Sequence, residues 1–364
     1  MTDTGAGRPV RVLHLVGSAV SDELADLSLL YARDALATLS QPGLAYEHLL
    51  AHVEPDGAWS FPRDLGPAAL AAAPRVGTGE ALTHLVGLEV DLGLPQMFCV
   101  PGMTTYRALL DLLGIPFVGN TATVMALGAH KQRARALVAA GGVRVPVGRL
   151  LRREEVALEG SQILEDADLA GDVVVKPASA DNSTGVTLVR AGPSRDTELR
   201  AALARAFAVD EEVLVEQFVP LGREVRCGVW ETADGPVALP LEEYAVDAVT
   251  KPVRDEADKL RRAEDGSLEL VAKDETYAWI VEAGPEDPVV AAVQQAALAA
   301  FEALGCRHYG LFDFRIDPAG DPFFLEAGLY CSFAEQSVLV AMGRAAGSDT
   351  ASMFAVASAL VRQA

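Results

Sequence analysis

Two carboxylates near the end of the chain stand out by their spacing. The apolar segments Tyr309–Asp317 and Pro322–Ala327 flank a four-residue loop, Pro318–Asp321, and predict a β-hairpin. Counting back along both strands from this loop sets Asp313 directly opposite Glu326, on one face of the hairpin. Opposed like charges destabilise a sheet unless a cation lies between them, and Mg²⁺ prefers carboxylate oxygens. The spacing therefore predicts a magnesium site; two solvated carboxylates are the alternative.

A lysine at the end of an apolar run precedes a loop of small residues. Lys176 lies near the end of the strand-like segment Asp172–Pro177, and the loop Ala178–Gly185 follows it. Loops rich in glycine, serine and threonine bring backbone N–H groups and hydroxyls close to phosphate oxygens. In a Walker A loop the lysine follows the glycines, so this loop is of another kind. Taken alone, such a lysine is more often a surface charge at a strand end.

Two glutamates eight residues apart form a third group. Glu216 lies in the strand-like segment Glu212–Val219, and Glu224 opens the segment Glu224–Glu231, in which polar and apolar residues alternate. A carboxylate beside exposed main chain can bind an amino group next to a ring nitrogen, and a second carboxylate can bind ribose hydroxyls. Taken alone, each glutamate is more often a surface charge beside a core strand.

The elements that must position these residues are of two kinds. An apolar strand at Arg11–Val16, a glycine turn and a helix at Asp22–Leu39 predict a doubly wound α/β unit at the start. A mixed antiparallel α+β part follows it. The other expected elements are strands at 94–100, 117–120 and 186–190, helices at 106–113 (capped by Thr104–Thr105), 123–140 and 289–304, and a long charged segment at 250–275 that acts as a lid or is disordered.

Composition excludes several classes of protein. The chain has 364 residues, half of them apolar, and a net charge of −21, so it can form a large core and repels phosphate backbones and anionic lipid. We therefore expect neither a nucleic acid nor a membrane as partner. The polar start shows no leader pattern. Four widely separated cysteines fit no zinc or disulfide framework, which predicts reduced thiols and a cytoplasmic location.

The order and spacing of these residues resemble the ATP-grasp superfamily, and most closely its D-alanine–D-alanine ligase branch, over about residues 10–347. The ordered set is Lys131, Lys176, Glu216, Glu224, Asp313 and Glu326. The resemblance implies an ATP-grasp fold behind an N-terminal doubly wound (Rossmann-like) domain. It divides the chain into an N-terminal domain at 1–121, a central subdomain with the glycine-rich loop at 122–211 and a C-terminal subdomain with lid and metal site at 212–364.

The resemblance also implies roles for single residues, with ATP and Mg²⁺ as cofactors. On the ATP side they are Lys131 and Lys176 for the phosphates, Ser183, Thr184 and Gly185 for the loop over them, Glu216 for the adenine amino group, Phe218 and Val219 for the hinge, and Glu224 for the ribose. For the reaction they are Lys176, Lys259 of the lid, Arg315, and the magnesium ligands Asp313 and Glu326. For the substrate they are Ser337 and either Ser21 or Glu23, where Ser21 is equally a helix cap. Arg223 and Arg226 are further, weaker contacts for phosphate or substrate.

The chain departs from the ligase branch in its substrate half. The branch carries His-Gly-x-x-Gly-Glu-Asp-Gly where this chain has Gln96–Gly102, and an arginine, which holds a substrate carboxylate, where this chain has Leu311. Its metal-binding asparagine is Gly328 here, so that water or another oxygen, for example from Ser332, replaces one ligand. The ATP half is thus retained and the D-alanine half is rebuilt.

Three strings narrow the resemblance further, to the mycosporine-glycine–amino acid ligases of the mycosporine-like sunscreen pathway. They are Leu13–Ser21, Pro95–Met103 and Phe324–Phe333. This implies an ATP- and Mg²⁺-dependent ligase that phosphorylates a carbonyl or carboxylate acceptor and lets the amino group of serine or threonine displace the phosphate. The alternatives are a D-alanine–D-alanine or other dipeptide ligase, and a non-catalytic nucleotide-binding module. A homodimer is expected only from the family.

Overall fold

The computed structural model describes residues 8–41, 43–154, 163–165, 169–181, 183–254, 261–262, 268–269 and 276–363. Three larger sheets, each covered by helices, make up this part of the chain. Within it, no helix combines the length and the apolarity that crossing a bilayer requires.

The first sheet has the order β3-β2-β1-β4, with β1 parallel to both β2 and β4. Its strands are β1 Val10–Gly17, β2 Tyr46–Val53, β3 Trp59–Ser60 and β4 Leu92–Pro95. Its helices are α1 Asp22–Leu39, α2 Pro67–Ala72, α3 Thr78–Gly87, α4 Val100–Met103 and α5 Thr105–Leu112. Parallel strands joined through helices confirm the doubly wound unit that the sequence predicts.

Three local predictions in this unit are wrong. The strand expected at 94–100 ends at Pro95, because the chain turns into α4 with Cys99 as its N-cap. Thr104 makes no cap bond to α5; its hydroxyl donates instead to Val100 O, at 2.7 Å. The strand expected at 117–120 is a single bridge between Gly93 and Phe117.

The helix expected at 123–140 is two helices, α6 Ala122–Ala129 and α7 Lys131–Ala140. His130 between them has φ −100° and ψ 103°, which is extended backbone. Its ring explains the break, because Nδ1 accepts from Arg133 N at 3.3 Å and caps α7, while Nε2 lies 2.9 Å from Glu212. Lys131 consequently begins a new helix with a buried side chain.

The central sheet is antiparallel, in the order β5-β8-β6-β7. Its strands are β5 Gly148–Arg152, β6 Val173–Pro177, β7 Thr187–Val189 and β8 Glu212–Gln217. Helix α8, Arg195–Phe207, packs its apolar residues against one face. A boundary at 211/212 would divide this sheet, and we propose that the central unit runs to Gln217.

The third sheet has the order β14-β11-β9-β15-β16, with β10 beside β9. Its strands are β9 Arg223–Thr232, β10 Gly235–Ala238, β11 Glu242–Tyr244, β14 Ala278–Ile280, β15 Tyr309–Ile316 and β16 Pro322–Gly328. Two short strands, β12 Arg261–Arg262 and β13 Leu268–Glu269, pair with each other, and the rest of 255–275 lies outside the described residues. The lid hypothesis therefore stays a prediction.

Helices α9 Pro288–Ala303, α10 Val338–Ala345 and α11 Thr350–Gln363 complete this part. Helix α9 covers the apolar face of the third sheet, which carries Val225 and Phe312. Helix α11 shares a core with the first sheet through Phe354, Val12 and Leu94. The end of the chain thereby ties the N-terminal unit to the third sheet.

The hairpin of β15 and β16 has an irregular register. Ile316, rather than Asp317, pairs with Pro322, so the expected loop is wrong by one residue. A register shift between Asp313 and Phe314 restores the predicted pairing of the two strands, so that Asp313 does lie opposite Glu326. The β-bulge therefore produces the juxtaposition of carboxylates that the sequence predicts from a regular hairpin.

Candidate active site

The polar faces of the central and third sheets line a cavity that opens to solvent. Concave sites with convergent polar groups are where proteins commonly bind small molecules. The predicted residues that line it are Lys131, Lys176, Ser183, Thr184, Glu216, Phe218, Val219, Glu224, Asp313, Arg315 and Glu326. Gly185 lies beside the cavity, at a φ of +74° in the loop turn, where a Cβ would meet Pro177 Cγ at 2.9 Å.

The alternating segment 224–231 is part of an antiparallel strand, as predicted, but its polar face is not turned to solvent. Glu224 is only 7% exposed, and Arg226 has only a fifth of its side chain exposed. Glu224 lines the cavity from this face, and Arg226, two residues further along, contacts Asp313, which also lines it. A polar stripe on a strand thus marks a site here, where the pattern alone indicates an exposed sheet.

Two buried lysines form ion pairs across the cavity wall. Lys176 of β6 lies 2.5 Å from Glu216 of β8, and the two residues are diagonal neighbours on one face of the central sheet. Lys131, at the start of α7, lies 3.4 Å from Glu326 and also donates to Ala180 O of the small-residue loop. Buried ammonium groups that reach into a cavity suit an anionic ligand such as a phosphate chain. The donor set therefore fits ATP.

Arg315 is engaged at the end of the cavity where the sequence places base and ribose. It forms a buried ion pair with Glu224, donates to Val219 O at 3.3 Å and to Pro252 O at 2.9 Å, and lies over the Phe218 ring at 5.0 Å. It shares the face of Asp313, as alternation along β15 predicts. Its guanidinium supports the expected hinge, and a contact with phosphate stays a prediction.

The expected magnesium carboxylates each contact a cation. Asp313 accepts from Nε and Nη2 of Arg226, the second at 2.7 Å, and Glu326 faces Lys131. Among the described residues no cluster of three or more histidine, cysteine or acidic side chains could hold a metal. Mg²⁺ on nucleotides is commonly held by one or two carboxylates together with phosphate oxygens and water. Asp313 and Glu326 fit that kind of site.

A second arginine and a tyrosine lie behind Asp313. Arg254 lies 3.5 Å from the centre of the Tyr244 ring, and Arg226 lies 5.7 Å from it. Burial lowers the pKa of Arg226, but the charges of Asp313 and Glu242 and the Tyr244 hydroxyl outweigh it and raise that pKa well above its usual value. Burial also raises the pKa of Tyr244. These groups keep Arg226 a cation and Tyr244 neutral.

The expected substrate residues are not among the described residues that line this cavity. Ser21 caps α1, and its hydroxyl accepts from Leu24 N at 3.3 Å. Glu23 lies in the first turn of the same helix. Ser337 is buried at the N-cap position of α10 without a side-chain cap bond. Lys259 lies outside the described residues. All four roles stay predictions.

The positions that depart from the ligase branch have structural roles here. Leu311 is buried in the core formed by Trp230, Tyr309 and Phe333. A Cβ at Gly328 would meet nothing closer than Leu311 Cβ, at 3.8 Å, so space does not exclude a larger residue there. Ser332 accepts from Ala334 N at 3.1 Å and does not line the main cavity among the described residues, which weighs against it as a metal ligand.

Sequence reasoning missed several described residues at the cavity. They are Val174, Pro177, Ala180, Val186, Gln217, Val253, Arg254 and Leu325. Side chains alternate along a strand, so Val174 shares the face of Lys176 on β6 and could have been predicted from the sequence to line the cavity. No local signal identifies Arg254, because the irregular segment before the undescribed residues brings it to the Tyr244 ring.

Comparison with known proteins adds independent evidence. Residues 137–356 match the family model described as "D-ala D-ala ligase C-terminus". The D-alanine–D-alanine ligase of Mycobacterium avium is 32% identical over 348 residues, covering 87% of this chain and 88% of the relative. That of Mycolicibacterium gilvum is 33% identical over 294 residues, covering 79% and 74%.

Solved structures agree on the fold. The VanG D-Ala:D-Ser ligase of Enterococcus faecalis superimposes with a TM-score of 0.77 at 23% identity, covering 97% of this chain and 99% of that one. The D-alanine–D-alanine ligase of Bacillus anthracis in complex with ATP has a TM-score of 0.68 at 21% identity and the same coverage. The predicted ATP-grasp fold is confirmed. The names of these relatives favour the dipeptide-ligase alternative over the mycosporine-glycine hypothesis.

Proposed function

The chain belongs to the D-alanine–D-alanine ligase family, whose members are ATP- and Mg²⁺-dependent, ADP-forming carbon–nitrogen ligases, and we propose that it joins two amino acids through a peptide bond. The first amino acid supplies the carboxyl group and the second supplies the amine. D-Alanine is the first substrate to test in both positions, because the relatives are named for it.

One observation carries this proposal: a single cavity gathers two buried lysines and the opposed carboxylates Asp313 and Glu326. A protein that only binds nucleotide has less need of both cations and both carboxylates. Phosphoryl transfer needs them, because negative charge on the transferring group must be neutralised from several sides. The non-catalytic module is therefore the weaker alternative.

In the proposed mechanism the side chains of the protein mainly position the substrates and neutralise the negative charge of the phosphate groups. Lys131 and Lys176 hold the phosphate chain, and Glu216 and Glu224 bind the base and ribose. Asp313 and Glu326 hold Mg²⁺. When bound, ATP supplies the phosphoryl group that activates the first carboxyl group, which the incoming amine then attacks with loss of phosphate. Exclusion of water from the activated substrate is the role that the resemblance implies for Lys259, which lies outside the described residues.

The identity of the substrates is the part of the proposal that the family does not determine. Leu311 stands where the branch that the chain resembles has the arginine that holds a substrate carboxylate, and the buried, hydrogen-bonded Gln96 begins the segment that replaces its His-Gly loop. Gly328 replaces its metal-binding asparagine. These changes favour a substrate other than D-alanine in at least one position. Mycosporine-glycine with an amino acid is therefore the second candidate, and it uses the same phosphate and metal residues.

ADP release by the purified protein, with ATP and Mg²⁺, tests the proposal. D-Alanine, D-serine and other amino acids are supplied singly and in pairs, and mycosporine-glycine is supplied with each amino acid. Turnover with amino acids alone, and a dipeptide in the product mass spectrum, is the expected result. Turnover that requires mycosporine-glycine identifies the second candidate, and ADP release independent of every acceptor contradicts both.

A further inference from the structure

Arg226 lies where three parts of the chain meet. Arg226 of β9 pairs with Asp313 on the adjacent strand β15 and with the buried Glu242 on the other adjacent strand, β11. The charge of Arg226 also reaches Tyr31 of α1 and Tyr330, which follows β16. The Arg226 guanidinium thus contacts the expected metal carboxylate and influences, through its charge, one tyrosine of the N-terminal unit and one of the loop after the hairpin.

Two other arginines of β9 and β15 have different partners. Arg315 is held by Glu224, Val219 O and Pro252 O at the hinge. Arg223 belongs to the opposite face of β9 and forms an ion pair with Glu243, at 2.7 Å. The sequence does not separate Arg223 from Arg226, whereas the structure places only the second in contact with Asp313.

The contact between Arg226 and Asp313 uses both oxygens of the carboxylate. A divalent cation on Asp313 needs at least one of these oxygens and repels the guanidinium. The N–H groups of Arg226 then lose acceptors, and a largely buried donor without an acceptor is unfavourable. A second carboxylate, presented from the cavity, matches the planar fork of a guanidinium with two parallel hydrogen bonds.

We propose that Arg226 binds the carboxylate of an amino-acid substrate, and that its hydrogen bonds pass from Asp313 to that carboxylate when the metal is bound. Arg226 is then a substrate-binding residue, and its release from Asp313 links metal binding to substrate binding. The inference rests on the proposed function, since it requires a substrate that carries a carboxylate. Arg226 has a fifth of its side chain exposed and contacts Asp313, which lines the cavity, so a carboxylate held beside Asp313 lies within its reach.

The test compares Arg226→Ala and Arg226→Lys with wild type. KM for each amino acid and kcat come from ADP release, and calorimetry gives the affinity for ADP with Mg²⁺. Arg226→Ala is expected to raise one amino-acid KM by about 30-fold, as the loss of charged hydrogen bonds implies, and to change ADP affinity less than about threefold. Arg226→Lys restores only part of the loss, because an ammonium is a single-point donor. Added guanidinium ion restores part of the turnover of Arg226→Ala.

Arg223→Ala is the matched control, since it removes an arginine from the other face of the same strand, and melting curves verify that every variant folds. An unchanged amino-acid KM in Arg226→Ala overturns the inference while wild-type turnover upholds the proposed function. An equal loss of ADP–Mg²⁺ affinity also overturns it, because Arg226 then only positions Asp313. A wild type that neither binds nor consumes amino acids defeats the proposed function and this inference with it.

Discussion

The cavity and the first sheet both bury polar groups, but they do so in opposite ways. The cavity buries charges in pairs, of which Lys176 with Glu216 and Arg226 with Asp313 are examples. The first sheet buries a neutral chain of hydrogen bonds, in which Gln96 donates to His14 Nδ1 at 3.1 Å and the other ring nitrogen lies 2.9 Å from His48. Only the first arrangement leaves ions that can change partners.

The contrast separates a site from a scaffold. A buried ion pair costs desolvation energy that its own attraction only partly offsets, so an anionic or cationic ligand can replace one member. A neutral network has no charge to offer an ionic ligand, even though the buried Oε1 of Gln96 has no hydrogen-bond partner among the described residues. His48 completes that network by pointing Nε2 at Leu39 O, 3.2 Å away. Three experiments can break or sharpen this comparison.

The largest effect is expected at Lys176. Lys176→Met removes a cation from the expected phosphate site and leaves Glu216, which is 3% exposed, without its ion-pair partner. ATP turnover should fall by more than about 100-fold, and breaking the buried pair should cost about 3–5 kcal/mol of unfolding free energy. ADP release and denaturant unfolding measure the two effects.

The double variant Lys176→Met with Glu216→Gln is the control for stability. It removes the unpaired charge, so most of the unfolding free energy should return while turnover stays low. Unchanged ATP consumption in Lys176→Met would sink the assignment of this cavity to ATP.

An intermediate effect is expected from the pH dependence of stability. Burial, with a smaller contribution from His48, lowers the pKa of His14 to about 3, whereas an unfolded histidine has a pKa near 6.5. Between these values only the unfolded state takes up the proton, so stability is full above pH 6.5 and falls as the pH drops. The loss attributable to His14 is about 2 kcal/mol at pH 5.

Unfolding of wild type and of His14→Gln between pH 5 and 7 measures this difference. Glutamine keeps a donor and an acceptor but does not titrate, so the variant should show a shallower slope by about one proton. Equal slopes would show that His14 is protonated in the folded protein and would remove the contrast between the two regions.

The smallest effect is expected at Ser21, the N-cap residue of α1. Ser21→Ala removes the N-cap bond of α1 and should cost about 1 kcal/mol, with no change in any substrate KM. Ser194→Ala is the control, because Ser194 occupies the N-cap position of α8 without a cap bond. A raised KM with unchanged stability would instead place Ser21 in the substrate site.

The sequence predicts which residues form the cavity better than it predicts the contacts between them. The ordered lysines and carboxylates indicate an ATP-type site because phosphate, ribose and metal each demand a particular side chain, and the structure does bring them to one cavity. The contact of Arg226 with Asp313 could not be derived, because it depends on which strand pairs with β15 and in what register. Residues 226 and 313 are too far apart in the chain for a local pattern to decide this.

What the sequence determined by itself is local and periodic. The helix at Asp22–Leu39, the alternating faces of β9 and the presence of a hairpin near the end of the chain all follow from spacing. Tertiary structure alone decided the break at His130, the bulge that restores the pairing of Asp313, and which face of β9 becomes a cavity wall. Periodicity reports which side chains share a face, whereas packing against distant elements decides what that face meets.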